Sequence, residues 1–242
     1  MDNLEKRIAQ TWATFFKCRP ADFDQERTDI ILHEDQRGSR RVDLWTIGRH
    51  AFLRIDPDLE AMVRNTVQAK AQFKCFTVPD LLKSWANQQA TLSYTVDICF
   101  LYPSKFQTQT LVTPFQTRQL LLEDSHHLEA LKAACSNDDI ESADIAIDNE
   151  VVWGCFHNAQ LVSVASMYKV WGGFADVGIL THPAFRGQGV GKATVSAICT
   201  YLLAQNEVVL YRYEIRNKGS GKIARALGFR KTCQQQGIKV SL

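Results

Sequence analysis

Long apolar runs are missing from this chain of 242 residues. No window approaches the roughly 18 charge-free apolar residues of a membrane span, so no transmembrane helix is expected. The opening MDNLEKRIAQ is amphipathic, carries Asp2 and Glu5, and does not read as a secretion signal. Metal-ligand spacings are missing too. The six histidines contain no HExxH or HxxxH pair, and the seven scattered cysteines contain no CxxC. No metal site is therefore expected. An odd cysteine count without a signal peptide also argues against a disulfide framework; it points to reduced thiols in a cytoplasmic protein. Excess charge is missing as well, with a formal net of only +2 beside 45% hydrophobic residues. That balance excludes a mainly disordered chain and allows a sizeable core.

The small net charge hides an asymmetry. From Arg186 onward ten Arg or Lys face only Glu207 and Glu214, a formal +8, and the preceding 185 residues hold −6. A basic end on a mildly acidic body implies an anionic partner at that end. Nucleic acid and a phosphate-bearing small molecule are the two classes. The basic stretch Lys218 to Arg225 has no interleaved aromatic residue, which speaks against nucleic acid.

Hydrophobic periodicity divides the chain in two. Residues 3–17 are predicted helical, with Leu4, Ile8, Trp12 and Phe15/Phe16 on one face. Short strands are expected at 29–33, 42–47 and 51–55, with the charged segment 34–41 as a loop around Gly38. Asp56-Pro57 opens a helix, Thr77 to Asp80 opens another, and 91–102 is a long strand. Residues 1–110 thus read as an N-terminal accessory α+β domain without a catalytic signature. In residues 111–242 the order is a strand at 116–122, a helix capped by Asp124 or Ser125, and a polar turn or short helix at 137–144. Strands at 151–157, 161–171 and 174–182 follow, then a helix at 190–204 with one buried stripe at 190, 193, 197, 198, 201 and 202. A strand at 208–215, a helix at 218–227 and a short last strand from Phe229 close the chain. This is an α+β fold, a mixed sheet flanked by helices.

One segment carries readable chemistry. The strand DVGILTH runs into PAFRGQGVGK and a helix, with Gly187, Gly189 and Gly191 between Arg186 and Lys192. Glycines let the backbone turn tightly and bring N–H groups close to oxygens. A helix N-terminus adds partial positive charge, so the segment reads as an anion cradle of the kind that takes a pyrophosphate. A Walker A loop does not fit, because Gly187 and Gly191 stand too close and Ala193 follows Lys192 where a hydroxyl is needed. A dinucleotide fingerprint does not fit either, since its third glycine falls on Lys192.

Arg186, Gly189 and Gly191 match [QR]xxGxG between strand and helix, and Asn217, Ser220, Ala224 and LGF (227–229) match NxxSxxxAxxLGF. Both motifs, in this order on these elements, make residues 115–242 resemble the GNAT superfamily of N-acetyltransferases. The resemblance implies an acetyl-CoA-dependent enzyme acting on the primary amine of a small-molecule or peptide acceptor. The alternative is a CoA-binding regulator or sensor without catalysis. It implies that the backbone of Ile179, Leu180 and Thr181 pairs with the pantetheine arm. The N–H groups of Arg186, Gly187, Gln188, Gly189, Val190, Gly191 and Lys192 would hold the pyrophosphate. Asn217, Ser220 and Lys222 would border the cofactor, with Lys218 and Arg225 near its outer phosphates. Asp176 is the first candidate for general base and Glu214 the second. The family's tyrosine seven residues after the asparagine is replaced here by Ala224, so Tyr211, Tyr213 or water would protonate the thiolate. The acid surplus before Arg186 hints at a cationic amine.

Overall fold

The computed structural model describes residues 3–69, 75–112 and 114–241. In chain order the elements are α1 (Asn3–Phe16), β1 (Arg27–Leu32), β2 (Arg41–Ile47), β3 (His50–Ile55), α2 (Glu60–Ala69), α3 (Val78–Ser84) and β4 (Thr91–Leu101). They continue with β5 (Phe115–Gln119), α4 (Ser125–Ala133), α5 (Asn137–Ala143), β6 (Val151–His157), β7 (Gln160–Val170) and β8 (Phe174–Thr181). The last four are α6 (Val190–Ala204), β9 (Val209–Glu214), α7 (Lys218–Leu227) and β10 (Phe229–Lys239).

The chain forms two compact units that interleave, where the sequence suggests a single boundary between 110 and 111. The first unit holds the chain start through Arg7, Cys99–Arg212 and Asn217–Arg230. The second holds Ile8–Ile98, Tyr213–Arg216 and Lys231 to the end. No local break in composition marks such a division, because four of its five cuts fall inside elements, in α1, β4, β9 and β10.

In the first unit the strand order is β9-β8-β7-β6-β5. Only β8 and β9 are parallel, and such a pair requires a crossover, which α6 supplies. β7 and β8 form a hairpin from Val170↔Phe174 to Ser163↔Thr181. The core beneath α4 and α5 gathers Leu128, Leu131, Ile145, Val152, Val164 and Leu180. α6 is buried more widely than one stripe: Thr194, Val195, Ser196 and Cys199 are buried too. Its two buried hydroxyl residues were invisible to an apolar pattern. Thr194 solves its polarity by donating to the Val190 carbonyl at 2.9 Å.

In the second unit the order is β1-β3-β2-β10, with β4 beside β10. Val42, Leu44, Leu53, Ile55, Leu81, Trp85 and Ile238 form one core. Trp12, Phe16, Trp45 and Phe52 form an aromatic layer, with Phe16 stacked on Phe52 at 4.2 Å. The last strand runs the full Phe229–Lys239 rather than ending early. Its polar stretch 234–236 disguises it. Those glutamines pair with β2, and Gln234 and Gln235 donate to Asp97 and Tyr94 at 2.8 and 3.0 Å.

Candidate acetyl-transfer site

β8 and β9 pair only through Ala175↔Val209 and Asp176↔Leu210. β8 then runs on to Thr181 with β7 on one side and, among the described residues, no strand partner on the other. The open edge carries the peptide groups from Val177 onward, and Ile179, Leu180 and Thr181 lie along it. Side chains alternate across the strand. Gly178 faces α5, since a Cβ there would run into the Ala143 carbonyl. Ile179 and Thr181 face the start of α6, where a Cβ on Gly191 would lie 2.8 Å from Thr181 Oγ1.

The turn into α6 is built from two left-handed residues, Gly187 at φ +79° and Gly189 at φ +84°. A side chain would be strained at either position. The first helical hydrogen bond runs from Ala193 N–H to the Gly189 carbonyl at 3.0 Å. The N–H groups of Val190, Gly191 and Lys192 therefore have no intrahelical acceptor. Gln188 donates to the Ala184 carbonyl at 3.0 Å and steadies the turn. Arg186 is already engaged: Nε donates to the Thr181 carbonyl at 3.2 Å and Nη2 to Asp139 at 3.0 Å. The Ser136 hydroxyl and Arg186 together hold the Asp139 carboxyl below its usual range. Lys192 and Lys222 have no ion-pair partner among the described residues.

α7 meets this turn directly, because Ile223 Cδ1 is 3.4 Å from the Cβ position of Gly191. Asn217 caps α7 by accepting the Ser220 N–H at 3.0 Å, which leaves its amide donors for another partner. Ala224 is buried, as is Tyr211, whose phenol lies beside Ser220. Burial pushes the Tyr211 phenol up and keeps it neutral. Tyr213 donates to Asp97 within the second unit. Residues 179–181 lie along the strand edge, 186–192 form the turn it runs into, and α7, which carries 220 and 222, packs on that turn through Ile223. Three spare N–H groups at a helix start are the donor set that an anion needs.

Asp176 lies on the α5 side of β8 and is 4% exposed. Its Oδ2 accepts Arg212 Nε at 2.7 Å and Nη2 at 2.5 Å. The Tyr168 hydroxyl also bonds to Asp176 and accepts from Arg212 Nη2 at 3.1 Å. Burial raises the Asp176 carboxyl above its ordinary value against the opposing pull of Arg212. Burial would lower Arg212, but the Asp176 charge lifts it instead. Tyr168 is pushed up to about 12 by burial and by that same carboxylate. Arg212 stacks over Trp171 at 4.8 Å, and the exposed Asp144 carboxylate lies near the Tyr168 hydroxyl. Glu214 falls in the second unit, where it forms an ion pair with Arg216. The sequence reading missed Tyr168, Trp171, Arg212 and Asp144. The hairpin turn at Gly172-Gly173 was the available signal, since its register sets Tyr168 opposite Asp176.

A model of the family "GNAT acetyltransferase" matches residues 153–237. This segment belongs to the GNAT acetyltransferases. It is an acyltransferase domain by that membership, and it holds every residue of the turn and the cluster except Asp144. The fold is similar to a GCN5-related N-acetyltransferase from Sphaerobacter thermophilus, with TM-score 0.56 and 11% identity over 78% of this chain and 72% of that one. An acetyltransferase from the GNAT family of Colwellia psychrerythraea matches with TM-score 0.54 and 13% identity over 79% and 76%. A functionally unknown conserved protein from Staphylococcus epidermidis matches with TM-score 0.51 and 10% identity over 81% and 86%. Likeness at such identity is a likeness of fold. No curated protein matches.

The second unit has a cavity of about 600 Å³ bordered by Phe16, Asp22, Arg27, Asp29, Arg64 and Gln68. None of the expected site residues lines it. Among the described residues no helix is long and apolar enough to cross a membrane, and no cluster of metal-ligating side chains occurs.

Proposed function

We propose that the chain transfers the acetyl group of acetyl-CoA to a primary amine by direct attack on the thioester. The observation that carries this reading is the turn from β8 into α6. Two left-handed glycines and three spare N–H groups stand beside a strand edge that has lost its partner. A diphosphate needs converging N–H donors and a positive helix end. A pantetheine arm, which is an amide chain, needs an open strand edge. Gly187 through Lys192 would meet the first need, and Ile179, Leu180 and Thr181 the second. Asn217, Ser220 and Lys222 border the same space. Bound acetyl-CoA supplies an activated acetyl thioester.

The residues divide the proton traffic. An ammonium has no lone pair, so the acceptor must lose a proton before its nitrogen attacks. Asp176, with Tyr168 against it, is our first choice to take that proton, and Glu214 the second. The C–N bond forms as the C–S bond breaks, and the departing thiolate takes up a proton. Tyr211, a neutral phenol beside Ser220, is the donor on the α7 side. The acceptor is a small-molecule or peptide amine. The seven free thiols support a reducing, cytoplasmic setting.

A thermal-shift titration with acetyl-CoA, CoA and ATP tests the cofactor. Acetyl-CoA and CoA at a hundredfold over Kd should each stabilise the chain by about 2.7 kcal/mol, and ATP should not. Equal response to all three, or to none, would sink the reading. One observation favours a second function, a CoA-binding regulator: buried Ala224 stands where a hydroxyl is expected. CoA release in the presence of amines separates the two, since a regulator binds and releases nothing.

A further inference from the structure

The geometry points to Arg212 as the group that selects the acceptor, and to an amine bearing a carboxylate, an α-amino acid or a close relative, as that acceptor. The inference rests on the acetyl-transfer reading and names its substrate class.

Arg212 stands two residues beyond Leu210, the last β9 residue paired with β8. Successive strand residues alternate in direction, so Arg212 shares the face of Leu210, and Tyr168 and Asp176 share it too. That is the α5 face, because Gly178 on it meets Ala143. The cofactor turn and α7 lie against the opposite face, beside Ile179, Thr181 and Tyr211. The acceptor is left the α5 face at the point where the strands part.

One edge of the Arg212 guanidinium is spoken for. Nε and Nη2 are held by Asp176 and Tyr168, and Trp171 covers one ring-like face. Nη1 has no partner among the described residues, and the side chain remains 29% exposed. The neighbouring Gly172 and Gly173 would have open space even with a Cβ. A guanidinium fixed at Nε and Nη2 holds the two N–H groups of Nη1 pre-oriented for a carboxylate. Exposed Asp144, near Tyr168, presents the opposite charge on the same face. A positive fork and a carboxylate offered together match a zwitterion. A plain amine could meet Asp144 but would leave Arg212 Nη1 without an anionic partner.

The test measures CoA release by the full chain with acetyl-CoA and paired acceptors: phenylalanine against 2-phenylethylamine, lysine against cadaverine, glutamate against 4-aminobutyrate. The carboxylated member should be preferred by roughly tenfold to a hundredfold in kcat/KM, the worth of a charge-assisted hydrogen bond. Arg212→Lys keeps the positive charge beside Asp176 and loses the fork. It should raise KM for the amino acid, leave KM for acetyl-CoA alone, and bring the preference under about threefold. Should that variant fail to fold, Trp171→Ala, which frees the guanidinium to swing, should lower the same preference. Equal use of both members, or a preference that survives Arg212→Lys in a folded protein, overturns the inference and leaves acetyl transfer standing. No CoA release from either series overturns both.

Discussion

The two units each contain a buried Asp–Arg–Tyr cluster, and the contrast between them separates structure from chemistry. In the second unit Asp43 is 2% exposed. Its Oδ1 accepts Arg41 Nε at 3.1 Å and the Tyr94 hydroxyl at 2.6 Å, and its Oδ2 accepts Gln36 at 2.9 Å. Arg41 lies over the Tyr94 ring at 4.9 Å, much as Arg212 lies over Trp171. The parts are alike and the surroundings are not. Asp43 sits mid-strand, paired with Arg54 on one side and Gly237 on the other. Asp176 is the last paired residue before two strands separate. A polar cluster inside a continuous sheet can only be satisfied and hold the strands. The same cluster at a parting of strands has a side left for a ligand.

Each cluster also depends on a strand glycine, and these give the largest expected effects. A Cβ on Gly178 would strike the Ala143 backbone carbonyl, and one on Gly237 would strike the Tyr94 ring. A backbone cannot swing aside as a side chain can. Gly178→Ala should therefore cost about 3 kcal/mol, and Gly237→Ala about 2 kcal/mol. Urea titration of both variants checks the order. A reversed order would mean that α5, with Asp144 at its end, is loosely seated, and would blur the distinction drawn above.

The next effect divides the clusters by function. Asp43→Asn and Asp176→Asn each remove the charge facing a partly exposed arginine, and each should lose about 2 kcal/mol of stability. Only Asp176→Asn should also lower kcat/KM per folded molecule, by about a hundredfold for a lost proton acceptor. Glu214→Gln serves as its rival. If that variant loses the activity and Asp176→Asn keeps it, then Asp176 is as structural as Asp43.

The chemistry was legible where it lives in backbone, and obscure where it lives between strands. Alternating glycines before a helix announced Gly187 and Gly189, because a left-handed turn admits few other residues. Asn217 was legible through its motif with Ser220 and Ala224, and the structure adds that it caps α7. The Asp176 cluster needed pairing across a hairpin and across a parallel crossover, and no local pattern encodes the second. The length of β10 was hidden because its glutamines are polar by composition and strand-forming by side-chain bonds to Asp97 and Tyr94. The interleaving of the units was hidden for a related reason: β4, β9 and β10 each pass from one unit to the other without a break in their pattern.

A third carboxylate–arginine pair calibrates both clusters. Asp124 takes two bonds from Arg118, at 2.8 and 2.7 Å, and the Leu121 N–H at 3.0 Å. Arg118 holds its carboxyl down to about 2, from an ordinary 3.8. A depressed carboxyl stabilises the fold when ionised. Its contribution is complete above the ordinary value and is lost as pH falls through about 2. Because Arg118 is half-exposed, that contribution is about 1 kcal/mol. Asp124→Asn should flatten the acid limb of the stability curve between about pH 4 and pH 2. Asp176, raised rather than lowered by burial, should leave that window unchanged when it is replaced.

The smallest effect bears most directly on the contrast. Arg41→Lys repeats in the second unit the exchange made at Arg212: charge kept, fork lost. Arg41 is 42% exposed, so solvent repairs most of the damage and the cost should be about 0.5 kcal/mol. Its two bonds, to Asp43 and Tyr94, serve only the strands around it. The preference between an amino acid and its decarboxylated amine should therefore be unmoved by Arg41→Lys while Arg212→Lys erases it. If both exchanges shift the preference alike, the effect travels through stability, and the parting of β8 and β9 confers nothing on Arg212 that an unbroken sheet would not.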